Sequence, residues 1–183
     1  MFRHFLITTL ALLLFASCTQ VLSTNYPGKS EKSLPKEWQG NYEVVFTSPF
    51  PDKKDSSKPE REFARIESDR ITWTGRDASK VYSLNDSLRY SVYDHNGYIS
   101  LLMPEGLYAV FKVTHIGDTL ALASMSTDEE PKKADLVKYF KDVEKKSSQG
   151  DDYYQVTIIE KKLDTYFKSS IPSKDPLKLV PVR

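Results

Sequence analysis

The feature that most constrains this chain is an alternation of apolar and polar residues between Lys80 and Ser126. Leu88, Tyr90 and Val92 alternate with polar neighbours, Asp94-His95-Asn96-Gly97 interrupts, and Tyr98 to Met103 resumes. Successive side chains of a strand point to opposite faces, so this spacing predicts strands with one face in a core. Asn96-Gly97 between alternating runs is a hairpin signal, because both residues accept positive φ. Pro104-Glu105-Gly106 predicts a second turn, after which Leu107, Ala109, Phe111 and Val113 share one face. Ile116-Gly117-Asp118 predicts a third, leading into Thr119 to Met125. Four strands joined by short turns make an antiparallel meander. Its expected buried surface is Leu88, Tyr90, Val92, Phe111, Val113, Leu120 and Leu122.

The flanks extend a mainly β reading. Tyr42, Val44 and Phe46 lie two apart and predict a strand over Asn41 to Thr47. Ser48 to Glu62, with Pro49, Pro51, Pro59 and many charges, is expected to be a long mobile loop. Phe63 to Ser68 and Arg70 to Thr74 read as a hairpin with Asp69 near its turn. Downstream, Pro131 follows the acids Asp128, Glu129 and Glu130, a pattern suited to a helix start. Leu136, Phe140 and Val143 then recur at helical spacing with Val137 beside them, and predict one amphipathic helix. Gly150 breaks it. Tyr153 to Ile159 is an expected strand, Lys161 to Lys168 a short C-terminal helix packing Leu163 and Phe167. Leu177 to Val182 is expected at a sheet edge, where Pro176 and Pro181 are tolerated.

The N-terminus carries a different signal. Met1 to His4 holds Arg3 and no acid, and Phe5 to Ala16 is apolar apart from Thr8 and Thr9. That run of about 12 residues spans ~18 Å as a helix, short of the ~30 Å hydrocarbon core of a bilayer. A basic start, a short apolar run and small residues at its end describe a signal peptide. Phe15-Ala16-Ser17-Cys18 resembles the bacterial lipobox, with Phe15 where Leu is usual. The resemblance implies that residues 1–17 are a lipoprotein signal peptide and that Cys18 carries the lipid, a diacylglycerol thioether with an acylated (palmitate-type) amine. One acyl chain holds a protein only reversibly, with an association constant of ~10⁴ M⁻¹, whereas two or three anchor it stably. Thr19-Gln20-Val21-Leu22 has neither Asp after the cysteine nor an acidic run, which in such lipoproteins implies the outer membrane with the domain facing the periplasm. Residues 18–36 are polar, with Pro and Gly and no period, and are expected to be a flexible tether. Residues 37–183 are then a single β-rich domain.

Trp38-Gln39-Gly40-Asn41-Tyr42 opens that domain. It resembles the start of lipocalin-like (calycin-type) bacterial lipoproteins, where an aromatic-Gly-aromatic cluster seals one barrel end. Lipocalins more often have Gly-x-Trp, whereas here Trp38 precedes Gly40 by two. The resemblance implies a small up-and-down β-barrel of about eight strands whose interior takes a small apolar ligand or lipid. Even within such a barrel, the plainer role of Trp38 and Tyr42 is core packing at a strand start.

Composition narrows the chemistry. Removal of residues 1–17, whose only Lys or Arg is Arg3, leaves 25 basic against 25 acidic side chains. A neutral domain lacks the basic stripe that sustains nucleic-acid binding, so no nucleic-acid partner is expected. Cys18 is the only cysteine. Once lipidated it leaves no thiol for a disulfide, a nucleophile or a thiolate metal site. His95 and His115 are the histidines that remain, too few for a three-histidine zinc site. A mixed site drawing on His95, His115, Asp94 and Asp118 competes with the plainer reading of solvated turn and strand-end residues. No Gly-x-Ser-x-Gly, Gly-x-Gly-x-x-Gly or Walker-type run occurs, so no catalytic residue, cofactor or metal is expected. Glu129-Glu130 and Asp151-Asp152 read as solvated acids. Lys132-Lys133 and Lys145-Lys146 flank the expected helix and read as a solvated face, with anionic headgroups as the other possibility.

Tyr82, Tyr90, Tyr93, Tyr98, Tyr108, Tyr153 and Tyr154 form the most suggestive set, since tyrosine offers large amphipathic contact area. The expected function is that of a membrane-anchored, non-catalytic envelope lipoprotein binding a small apolar ligand or lipid. The alternative is an accessory or structural subunit of an envelope protein assembly, using the tyrosine-bearing face. The first requires a deep apolar cavity. The second requires a filled core and an exposed aromatic patch of more than a few hundred Å².

Overall fold

A computed structural model describes residues 19–45, 61–75, 78–148, 151–174 and 176–182. The expected signal peptide and Cys18 (residues 1–18), Phe46, and most of the expected loop over Ser48 to Glu62 lie outside the described residues. In chain order the elements are β1 (Gln20–Ser23), β2 (Lys29–Ser30), a 3-10 turn (Lys36–Trp38), β3 (Gly40–Val45), β4 (Glu62–Ile66), β5 (Arg70–Thr74), β6 (Ser79–Ser83), β7 (Leu88–Tyr93), β8 (Asn96–Leu102), β9 (Tyr108–Ile116), β10 (Thr119–Ser124), α1 (Lys133–Leu136), β11 (Phe140–Ser148), β12 (Asp151–Ile158), α2 (Glu160–Lys168) and β13 (Leu177–Pro181). The chain is mainly β, an antiparallel sheet curled into a half-barrel, with two short helices.

The meander forms as the alternation predicts, β7 through β10 pairing in sequence order. Six of its seven expected core residues belong to one buried cluster: Leu88, Tyr90, Phe111, Val113, Leu120 and Leu122. Val92 does not, and is 40% exposed at the open end of β7. The first turn also differs. Asp94 and His95 are the linking residues, with φ of 47° and 62°, and Asn96-Gly97 already belongs to β8. Two consecutive positive φ values match the right-handed strand twist, as in a type I′ turn. Gly97 has another task. A Cβ there would stand 3.0 Å from the Trp38 ring, so this glycine makes room for an indole. The β4–β5 hairpin forms as expected, Glu67 N–H donating to Arg70 C=O across its turn at 3.0 Å.

The strand path β11-β12-β1-β9-β10-β13-β3-β4-β5-β6 has β8, β7 and β2 branching from β9. Two cores result, one inside the curl and one outside it. The inner core gathers Leu22, Leu34, Trp38, Tyr42, Val44, Ile66, Leu88, Ile99, Phe111 and Leu179 among others. The outer one packs Tyr98 and Val110, from the other face of the meander, against Val21, Phe140, Val143, Tyr154, Val156 and the α2 residues Leu163 and Tyr166. Tyr166 O–H anchors the helix by donating to Met125 C=O at 2.6 Å.

Three expectations are corrected by this arrangement. Residues 19–36 are no tether: β1 runs parallel to β12 from Gln20↔Tyr153 to Ser23↔Val156, and β2 pairs with β7. Glu31 N–H and Leu34 N–H donate to Tyr90 C=O and Ser68 C=O, each at 2.8 Å. Val21 and Leu22 are buried in different cores, one on each face of β1, so no alternation advertises the strand. The amphipathic helix shrinks to the four residues of α1, and Phe140 and Val143 lie in β11 instead. A bulge between Lys141 and Glu144, with Asp142 at φ 50°, lets residues three apart share a face and so imitates helical spacing. β13, expected at an edge, lies between β10 and β3. Proline is accommodated because Pro181 is its final residue.

Candidate functional site

The best-built polar cluster stands where the first half-barrel strand begins. Pro35 leads into the 3-10 turn with φ −53°, and Trp38 N–H closes it onto Pro35 C=O at 3.1 Å. The turn drops Trp38 into the inner core, where it is 4% exposed. Its ring lies over Gly97 and meets Tyr90 edge-on, centroids 4.9 Å apart. Its Nε1–H donates to His115 Nε2 at 2.8 Å. Nε2 is therefore an acceptor, and the ring proton sits on Nδ1. Tyr42 O–H donates to Trp38 C=O at 2.8 Å. Burial pushes the Tyr42 phenol up, and burial followed by the nearby Glu31 and Glu37 carboxylates does the same to Tyr90. These residues fill and seal one end of the curl.

A second cluster lies under α2. Lys112 donates to Asp164 Oδ1 at 2.5 Å, and Lys168 reaches its other oxygen at 2.5 Å. Those hydrogen bonds hold the Asp164 carboxyl below the usual carboxylate range. Directly opposite Lys112 on β8 is Tyr98, fully buried, its phenol pushed up by burial and then by the Asp164 and Asp94 charges. Tyr98 O–H, Ser91 Oγ and Ser100 Oγ are buried without a protein partner.

The sequence-nominated residues scatter. Asp94 and His95 cap the β7–β8 turn, while His115 and Asp118 end β9 and the turn after it, with His115 engaged by Trp38. Among the described residues no group of three or more His, Cys, Asp or Glu is placed to hold a metal ion. The seven tyrosines do not form an exposed patch: Tyr90, Tyr98 and Tyr154 are buried and the other four half-buried. They divide between the two cores because both faces of the meander are covered. Lys145 bridges Glu130 at 2.7 Å and Asp152 at 2.9 Å, and Lys146 pairs with Glu144. The lysine pair thus lies on a strand rather than beside a helix.

Two shallow clefts lie among the described residues. One, about 470 Å³, runs between Asp128–Lys132 and Ser170–Pro172, with Asp135 and Lys174 on its rim. The other, about 440 Å³, lies on the outer face of β3, β4 and β5 and is lined by Asn41, Phe63, Ala64, Arg65, Thr72, Thr74 and Val182. Sequence reasoning missed this second surface. The outward row of these strands mixes Val45 and Phe63 with Asn41, Glu43, Arg65, Thr72 and Thr74, so no apolar period marked it. Among the described residues no helix is long and apolar enough to cross a membrane. No family model, no curated protein and no solved structure matches the chain.

Proposed function

We propose that this chain is a non-catalytic envelope lipoprotein, anchored by lipid on Cys18 at the outer membrane with its domain facing the periplasm, and that it serves as an accessory subunit to a partner protein. The choice of a partner over a small ligand rests on the filled interior: Trp38, Tyr42, Tyr90, Phe111 and Leu120 occupy the space a ligand would need. The 3-10 turn, Trp38 and Gly40 support a likeness to lipocalin-type lipoproteins, with the barrel end sealed by packing rather than open as a binding mouth.

The surface suited to a partner is the outer face of β13, β3, β4, β5 and β6. Cross-strand registers place Val45, Phe63, Val81 and Val180 there, and Val182, whose N–H donates to Asn41 C=O, joins them. Each is between 37% and 51% exposed. Beside them β6 pairs only with β5 among the described residues. An extended segment of another protein fits such an edge, backbone hydrogen bonds supplying affinity and the apolar row supplying selectivity. A photo-crosslinking amino acid at position 63 tests this in intact cells, the expected result being one discrete protein adduct. Absence of an adduct, together with a small apolar molecule retained by the purified protein in native mass spectrometry, would return the function to ligand binding.

A further inference from the structure

The N-terminal strand is locked from its first described residue. Thr19 N–H donates to Thr127 C=O at 2.9 Å and Thr127 N–H returns the bond at 3.0 Å. Val21, Leu22 and Ser23 follow at 1%, 4% and 0% exposure. The β1–β12 register, Gln20↔Tyr153, sets Thr19 alongside Asp152, where Lys145 joins Asp152 to Glu130. The chain therefore enters the fold inside a ring formed by Thr127 to Glu130 and the start of β12. The cleft of Asp128–Lys132, Ser170–Pro172 and Lys174 opens beside it.

We propose that this surface is the face the protein lays against its own membrane, held there without a tether, with the zwitterionic headgroup layer as its partner. The proposal rests on the lipid-anchor reading of Cys18. One trans peptide unit, ~3.8 Å between Cα atoms, separates Thr19 from that cysteine. A free linker over residues 19–36 would have an r.m.s. reach of roughly 23 Å and would let the domain turn in any direction. With none, the ring around Thr19 stays within about a headgroup's thickness of the lipid. The rim sets Asp128, Glu129, Glu130 and Asp135 against Lys132, Lys174 and the neighbouring Lys133, so it carries no basic excess and contact requires no anionic lipid. β1 and β12 point away from this face. The six residue-to-residue steps from Asp152 to Ile158 rise ~20 Å, which places the first turn of α2, with the exposed Lys161, at the far end.

The test uses the full-length acylated protein in phosphatidylethanolamine–phosphatidylcholine vesicles. Glu129→Cys and Lys161→Cys each introduce one free thiol, because the Cys18 sulfur is in thioether linkage. Each is labelled with a fluorophore and exposed to a quencher carried on lipid headgroups. Quenching is expected to be several-fold stronger at position 129 than at 161, and unchanged when anionic lipid is added. Insertion of about twelve Gly/Ser residues between Cys18 and Thr19 should erase the difference. Equal quenching at the two positions in the native chain, or a difference that survives the insertion, overturns the tether-free contact and leaves the anchor standing. Protein that fails to float with vesicles and shows an unmodified Cys18 by mass spectrometry overturns both.

Discussion

Replacing Leu22 or Val21 by alanine separates a structural strand from a tether at one stroke. Leu22 is 4% exposed and packs in the inner core, whereas Val21 is 1% exposed and packs in the outer one. Leu→Ala in a close-packed core removes transfer energy and leaves a cavity, together about 2–5 kcal/mol. Val→Ala removes two carbon groups worth ~0.8 kcal/mol each, so ~1.5–3 kcal/mol once the cavity is included. For a domain of this size each kcal/mol shifts Tm by roughly 2–4 °C, so Leu22→Ala should melt about 5–15 °C early. Total stability is ~5–15 kcal/mol, and the double variant should approach unfolding. Leu102→Ala, at a position 38% exposed, is the control and should change stability by less than ~0.5 kcal/mol. Thermal and urea melts of a soluble form beginning at Thr19 give the answer. If Val21→Ala and Leu22→Ala melt together with the control, residues 19–23 are not a strand in solution, and the tether-free membrane contact falls with it.

Gly97→Val should cost ~1–3 kcal/mol by forcing the Trp38 ring from its seat, visible as a lower Tm and altered tryptophan fluorescence; a neutral result would mean the ring has slack. His95→Gly should stabilise by several tenths of a kcal/mol, since it relieves a side chain held at φ 62°, and an unchanged or lower urea midpoint would contradict that. Asp164 gives a pH signature. Its carboxyl is held low by hydrogen bonds from Lys112 and Lys168, so the unfolded chain takes up the proton first as pH falls. The stabilisation is fully present above the unfolded value of about 3.9 and drains away as pH falls through the folded one. Wild type and Asp164→Asn should therefore differ in melting temperature at neutral pH and converge in acid, and a constant offset down the whole range would refute the assignment.

How much of this was legible depended on how many faces of a strand are covered. The β4–β5 hairpin and the meander declared themselves because their inner rows alternate cleanly. β1 did not, because a four-residue strand buried on both sides shows two adjacent apolar residues and no period. β11 was misread because its bulge spaces Phe140 and Val143 as a helix would. Ser91, Ser100 and Tyr98 lie on the face opposite the expected core row. They are buried because α2 and the β1–β12–β11 layer cover that face, and pairings between segments so distant in the chain leave no trace in local pattern. The seal at Trp38 was partly visible in Trp38-Gln39-Gly40-Asn41-Tyr42. Its hydrogen bond to His115, 77 residues away, was not.

The pairing of β1 with β12 also sets the order of folding. Segments that meet there are 133 residues apart, as the Asn25 side chain accepting from Ile158 N–H shows at 2.8 Å. Closing a flexible loop of that length costs ~4 kcal/mol beyond a constant, before any contact rewards it. The meander, whose strands meet through short turns, has no such barrier and is free to form first. β1 is then a latecomer: the first strand of the domain to leave the ribosome and among the last to find its place. Until Tyr153 to Val156 arrive, β1 lacks its parallel partner, and its docking carries the same kind of closure cost as that of β13 on β3, from Val45↔Lys178 to Tyr42↔Pro181.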